Sequence, residues 1–165
     1  MLAILILHIF ENQLKAKLTL KPGMKVLSVG CGIGGGECRL HQMFGVHVHG
    51  LDLSQNMLAV ARQRAAEMNI TSGVEFEFGN VLIRDFEEGT FDVVYTRDCI
   101  IHIREKDALF ERFYKWLKPG GQLLISGKQK NLKFSKILKI QIILAALMKK
   151  NQKSSGLIWL TENTI

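Results

Sequence analysis

The stretch Val26-Leu27-Ser28-Val29-Gly30-Cys31-Gly32-Ile33-Gly34-Gly35-Gly36 constrains this chain more than any other. An apolar run rich in β-branched residues stops in five glycines within seven residues, and a helix-like segment follows. Glycines at that spacing let the backbone turn tightly and approach a ligand, where a Cβ would obstruct. The next helix presents free N–H groups at its start, which suit a carboxylate or phosphate. Asp52 ends the following strand-like run, 20 residues beyond Gly32. That is the separation at which a carboxylate grips a ribose. The pattern predicts a nucleoside-cofactor site.

The remaining chain alternates strand-like and helix-like segments. Strands are expected over residues 25–29, 46–51, 74–78, 91–95 and 122–126, and helices from the glycine loop to 44, over 55–68 and over 106–117. Ser54 is a good N-cap for the second of these helices, with Met57, Leu58, Ala61, Ala65 and Met68 as its apolar stripe. Lys118-Pro119-Gly120-Gly121 reads as the turn that ends the third. Short turns between such elements imply right-handed βαβ units in a doubly wound, Rossmann-like, mainly parallel sheet. Ligands bind beyond the carboxyl ends of such strands. The polar residues Asp52, Asn80, Arg97, Asp98 and His102 all follow predicted strands there. His47 and His49 share a strand face, but no third ligand follows at metal-binding spacing, so a structural role is expected.

Composition bounds the partners. The 165 residues suffice for one domain with a core. The net charge of +7 suggests acidic partners, yet residues 1–127 hold 14 basic and 14 acidic residues. The excess lies in residues 128–165, which hold 8 lysines against Glu162 alone. A nucleic-acid groove in the domain is therefore unsupported. Cys31, Cys38 and Cys99 are odd in number and irregular in spacing, which suits a reducing, cytoplasmic compartment. The chain divides into an N-terminal helical segment (1–20), a core (21–127) and a basic, partly helical tail (128–165). Residues 132–148 could lie at an anionic membrane surface, pack on the sheet, or be foreign to the domain; their apolar part is too short to span a bilayer. Residues 151–165 show no period, and no feature sets an oligomeric state.

Residues 26–32, 50–54, 91–95 and 117–121 together resemble the class I methyltransferases that use S-adenosyl-L-methionine (SAM). The match narrows at GVHVHGLDLSQNMLAVARQR (45–64) and YTRDCIIHI (95–103), which resemble the phosphoethanolamine N-methyltransferases. The resemblance covers about residues 14–127. It implies that Gly30 and Gly32 hold the methionine part of SAM, Asp52 the ribose hydroxyls and Leu53 the adenine face. Asn80 and Val81 would meet the adenine edge, and Arg97 would line the pocket. Asp98 would face the substrate amine and His102 would be catalytic, with phosphoethanolamine or its methylated forms as substrate, towards phosphocholine. Asp98 has a competing reading as a salt-bridge partner of Arg97 or Arg104.

Three departures from that family stand out. Ser28 replaces an aspartate that helps bind the cofactor's amino group; serine keeps a hydrogen bond without the charge, and charge-assisted bonds are roughly twice as strong. Asn80 replaces an aspartate that accepts from the adenine amine. The family's tyrosine-bearing leading segment and its later phosphate-binding residues have no counterpart here, so a truncated copy is expected. The alternative reading is therefore a SAM-binding module without catalysis, partnering a longer methyltransferase.

Overall fold

The computed structural model describes residues 19–126 and the backbone pair 158–159. In chain order the elements are β1 (Lys25–Val29), α1 (Gly35–Phe44), β2 (His47–Asp52), α2 (Gln55–Glu67), β3 (Val74–Phe78), β4 (Phe91–Arg97), a 3-10 turn (Ile100–His102), α3 (Lys106–Trp116), β5 (Leu117–Ser126) and β6 (Ile158–Trp159). The sheet order is β3-β2-β1-β4-β5-β6, and every neighbouring pair is parallel. This is the Rossmann-like, doubly wound architecture expected from the alternating pattern. Most of the helical segment expected over 1–20, and the basic helix expected within 132–148, lie outside the described residues.

Alternation along the strands sorts the core into two layers. Val26, Val48, Val93, Tyr95 and Leu124 face Leu40 of α1. Leu27, Val29, Leu51, Val94 and Ile125 pack on the opposite face with Leu109, Phe110, Phe113 and Trp116 of α3. Strands buried on both faces read as continuous apolar runs, which is why they were legible without strict alternation. No helix connects β3 to β4. Instead Phe86 fills that place, edge-on to Trp116 and Phe91 at 5.0 and 5.1 Å between centroids. Among the described residues no helix is long and apolar enough to cross a membrane.

The structure departs from the sequence reading in four places. β2 runs on to Asp52 and β4 to Arg97, because their pairings with Phe78 and Ser126 persist to the rim. The Lys118–Gly121 stretch is part of β5: the ladder steps from Phe91 opposite Leu117 to Val93 opposite Gln122, and Gly120 takes φ +85°. Asp92 steadies this bulge, accepting from Lys118 Nζ at 2.9 Å and from the Lys25 amide at 2.8 Å. Met57 is half exposed rather than core, since only Leu58, Ala61 and Ala65 of α2 are buried. Ile158–Trp159, too short to show a period, pairs with Leu124 and Ile125 at the sheet edge.

Candidate functional site

The site is built at the carboxyl ends of the parallel strands, starting from the glycine loop. Gly30, Gly32 and Gly34 take φ of +76°, +53° and +70°. Other residues occupy that region only at a cost of about 1–2 kcal/mol. The loop then folds back on the sheet, with the Gly30 and Cys31 amides donating to Leu51 O at 2.8 and 3.3 Å. A Cβ at Gly32 would meet nothing within 4 Å, so its backbone borders open space at the rim.

Asp52 fastens this loop. Its Oδ2 accepts from the Gly32 amide at 2.8 Å, and its Oδ1 from the Ser54 amide at 2.9 Å. Ser54 also caps α2, accepting from the Met57 amide at 3.3 Å. Leu53, between them, is 66% exposed and offers an apolar face beside the carboxylate. The next rim position follows β3. There the Asn80 amide oxygen accepts from the Leu82 N–H at 3.0 Å, and its carbonyl from the Ile83 and Arg84 amides. Val81 is buried, and Arg112 of α3 donates to the carbonyls of Val81 and Arg84 at 3.1 and 3.0 Å. The loop is thereby tied to α3. Asp85 accepts from Trp116 Nε1 at 3.0 Å and from Lys115 Nζ at 3.2 Å, and these bonds hold its carboxyl below the ordinary range.

Beyond β4 the chain turns through Asp98, whose φ is +53°, into the Ile100–His102 turn. The His102 amide donates to Cys99 O at 3.0 Å, and its side chain is exposed. Arg97 Nε lies 3.7 Å from Asp98 Oδ2, a loose pair between exposed groups. Such a contact contributes about 0–1 kcal/mol and leaves the carboxylate usable. Cys99 packs inward. Burial, reinforced by the charge of Asp52, pushes its thiol above the ordinary range, so it is a packing group rather than a nucleophile.

All nine residues singled out from the sequence therefore lie at one rim, on or just beyond the ends of β1 to β4. Two contacts draw its loops together: Gly32 with Asp52, and Gly30 with Cys99, which leaves no room for a Cβ between them. The sequence reading overlooked Glu37, whose carboxylate lies beneath the loop, 3% exposed, accepting from Ser28 Oγ at 2.6 Å. The available signal was an acid in the first turn of the helix, directly after the glycine run and before the buried Cys38. His47 and His49 lie at the other end of the sheet. They line a cavity of about 560 Å³ with Lys25, Arg84 and Phe86, and His49 bridges Glu75 and Glu77 at 2.6 and 2.8 Å. That cavity is separate from the rim.

Comparison with known proteins agrees with this geometry. Residues 26–121 match the family described as Methyltransferase domain. The chain is 52% identical over 110 residues to phosphoethanolamine N-methyltransferase 1 of Arabidopsis thaliana, an alignment covering 67% of this chain and 22% of that one. It is 37% identical over 117 residues to the phosphoethanolamine N-methyltransferase of Plasmodium falciparum, covering 70% and 43%. Phosphoethanolamine N-methyltransferase 2 of Haemonchus contortus, solved with phosphomonomethylethanolamine and S-adenosylhomocysteine, superposes with a TM-score of 0.67 at 39% identity. That match covers 81% of this chain and 31% of the other. The chain thus spans about a fifth of the Arabidopsis relative. The match over residues 26–121 shows that the chain belongs to the methyltransferase-domain family, and the relatives named here, which it resembles, are phosphoethanolamine N-methyltransferases.

Proposed function

We propose that this chain binds S-adenosyl-L-methionine at the rim and methylates the amine of phosphoethanolamine or its methylated forms, towards phosphocholine. The observation that carries the reading is the continuity of the rim: Asp52 bonded to Gly32, and Gly30 seated on Cys99 of the loop that bears Asp98 and His102. The residues fit such a cofactor. The loop around Gly32 is open to a ligand, Asp52 has lone pairs left for ribose hydroxyls, and Leu53 presents an exposed apolar surface for a base. Gly30, Gly32, Asp52, Leu53, Asn80, Val81 and Arg97 are the residues assigned to holding it.

When bound, the cofactor supplies an electrophilic methyl group on a sulfonium, whose departure needs no acid. What remains for the protein is alignment and an amine with a free lone pair. Asp98, exposed at the rim, attracts the substrate ammonium. His102, also exposed, takes the proton that the ammonium gives up before its nitrogen can attack. The free thiols of Cys31, Cys38 and Cys99 suit a reducing, cytoplasmic setting.

The test is methyl transfer by the full chain from labelled SAM to phosphoethanolamine and its mono- and dimethylated forms. Wild type should transfer, and His102→Gln should lose roughly 100-fold or more in turnover while still binding S-adenosylhomocysteine. A second reading, a cofactor-binding module without catalysis, is motivated by the neutral Ser28, which stands where the resembled family has an aspartate. Binding of S-adenosylhomocysteine with no transfer to any of the three phosphobases would select it.

A further inference from the structure

The carboxylate of Glu37 is a group that the scheme above does not use. It sits in the first turn of α1, directly after the glycine loop, and is 3% exposed. Its partners are the Ser28 hydroxyl at 2.6 Å and its own backbone amide. Two neutral donors are meagre compensation for a buried carboxylate, which costs several kcal/mol to desolvate. Burial accordingly pushes its carboxyl up, with Asp52 adding to the effect and Arg97 and the Ser28 bond opposing it.

It lies beneath the glycine loop, bonded to Ser28 of β1. Glu37 lies within electrostatic reach of Asp52 on one side and Arg97 on the other, and it also acts on Cys31 and Tyr95. Asp52 flanks the glycine loop on the β2 side, Tyr95 and Arg97 on the β4 side, and Cys31 lies within it. An under-compensated acid between them calls for a cation, and among the described residues no Lys or Arg is hydrogen-bonded to it. Ser28, on β1, cannot supply a charge of its own, but its hydroxyl aims the Glu37 carboxylate.

We propose that Glu37, oriented by Ser28, is the receptor for the ammonium group of the amino-acid portion of the bound cofactor. The assignment rests on the proposed SAM site and deepens it. A primary ammonium brings up to three N–H donors and the positive charge that the buried acid lacks. Ser28 is then a positioning residue, and the acid that contacts the ligand comes from the helix rather than from the strand.

The experiment compares two nucleosides on the full chain by calorimetry: S-adenosylhomocysteine, which carries the ammonium, and 5′-methylthioadenosine, which lacks the amino-acid portion. Glu37→Gln should weaken S-adenosylhomocysteine by tenfold or more and change 5′-methylthioadenosine by less than twofold. Placing the acid on the strand instead, in the Ser28→Asp/Glu37→Gln double variant, should restore most of the loss. If Glu37→Gln does not fold, Glu37→Asp, which keeps the charge but withdraws it, should show the same split. Equal effects on both nucleosides, or no effect on either, would overturn the assignment while leaving the cofactor site intact. Failure of wild type to bind either nucleoside would overturn both the site and the assignment.

Discussion

Gly30 and Cys99 are in such close apposition that a Cβ on Gly30 would lie 2.5 Å from Cys99 Cβ and 2.7 Å from its Sγ. The glycine loop after β1 and the loop after β4 are thereby held as one surface, although the two residues are 69 positions apart in the chain. The contact has room for hydrogen only, and Gly30 also needs its φ of +76°.

Gly30→Ala should therefore fail twice over. The left-handed backbone costs about 1–2 kcal/mol and the overpacked contact about 1–3 kcal/mol. Thermal melts should show the loss of stability, and calorimetry should show loss of S-adenosylhomocysteine binding. Adding Cys99→Gly should recover the contact part and leave the backbone part. Full recovery by the double variant would mean that the positive φ is not required.

Asp52→Asn looks conservative and should not be. Both carboxylate oxygens accept from backbone amides, Gly32 on one and Ser54 on the other. An amide has a single acceptor oxygen and must turn N–H against N–H at the other contact. The expected cost is about 1–3 kcal/mol of stability from the unsatisfied group. Loss of the proposed ribose contact should weaken S-adenosylhomocysteine by roughly 10–100-fold, the range for a charged hydrogen bond. Binding within twofold of wild type would remove Asp52 from the cofactor site.

Glu37 links stability to pH with a definite sign. Its folded carboxyl is raised by burial, so unfolded chains release this proton at lower pH than folded ones. The stability tied to its protonated form is complete below the ordinary glutamate range, about pH 4.3, and is lost as pH rises through the folded value. Glu37→Gln removes that loss. Without ligand it should melt higher than wild type at pH 8, and the difference should close towards pH 4. Each kcal/mol corresponds to roughly 2–4 °C for a domain of about this size. A lower melting temperature for the variant at pH 8 would show that the charged form is not the strained one.

Much of this protein was readable in one dimension because its constraints are local. The glycine spacing, the apolar run of β1, the alternation of β3 and the cap at Ser54 follow from backbone sterics and periodicity within a few residues. The parallel connections followed from element order, and with them the placement of Asp52, Asn80, Arg97, Asp98 and His102 at one end of the sheet. Packing decided the rest. Whether Met57 is core depends on where α2 meets β3, and whether Lys118–Gly121 is a turn or a bulge depends on the register with β4. That Glu37 is buried beneath the loop, and that Gly30 tolerates only hydrogen against Cys99, are likewise set by pairs nine and 69 positions apart. Charge burial and side-chain contact are properties of three-dimensional neighbours. A sequence can name the residues, but only the folded chain brings Glu37 within reach of Ser28 and Cys99 against Gly30.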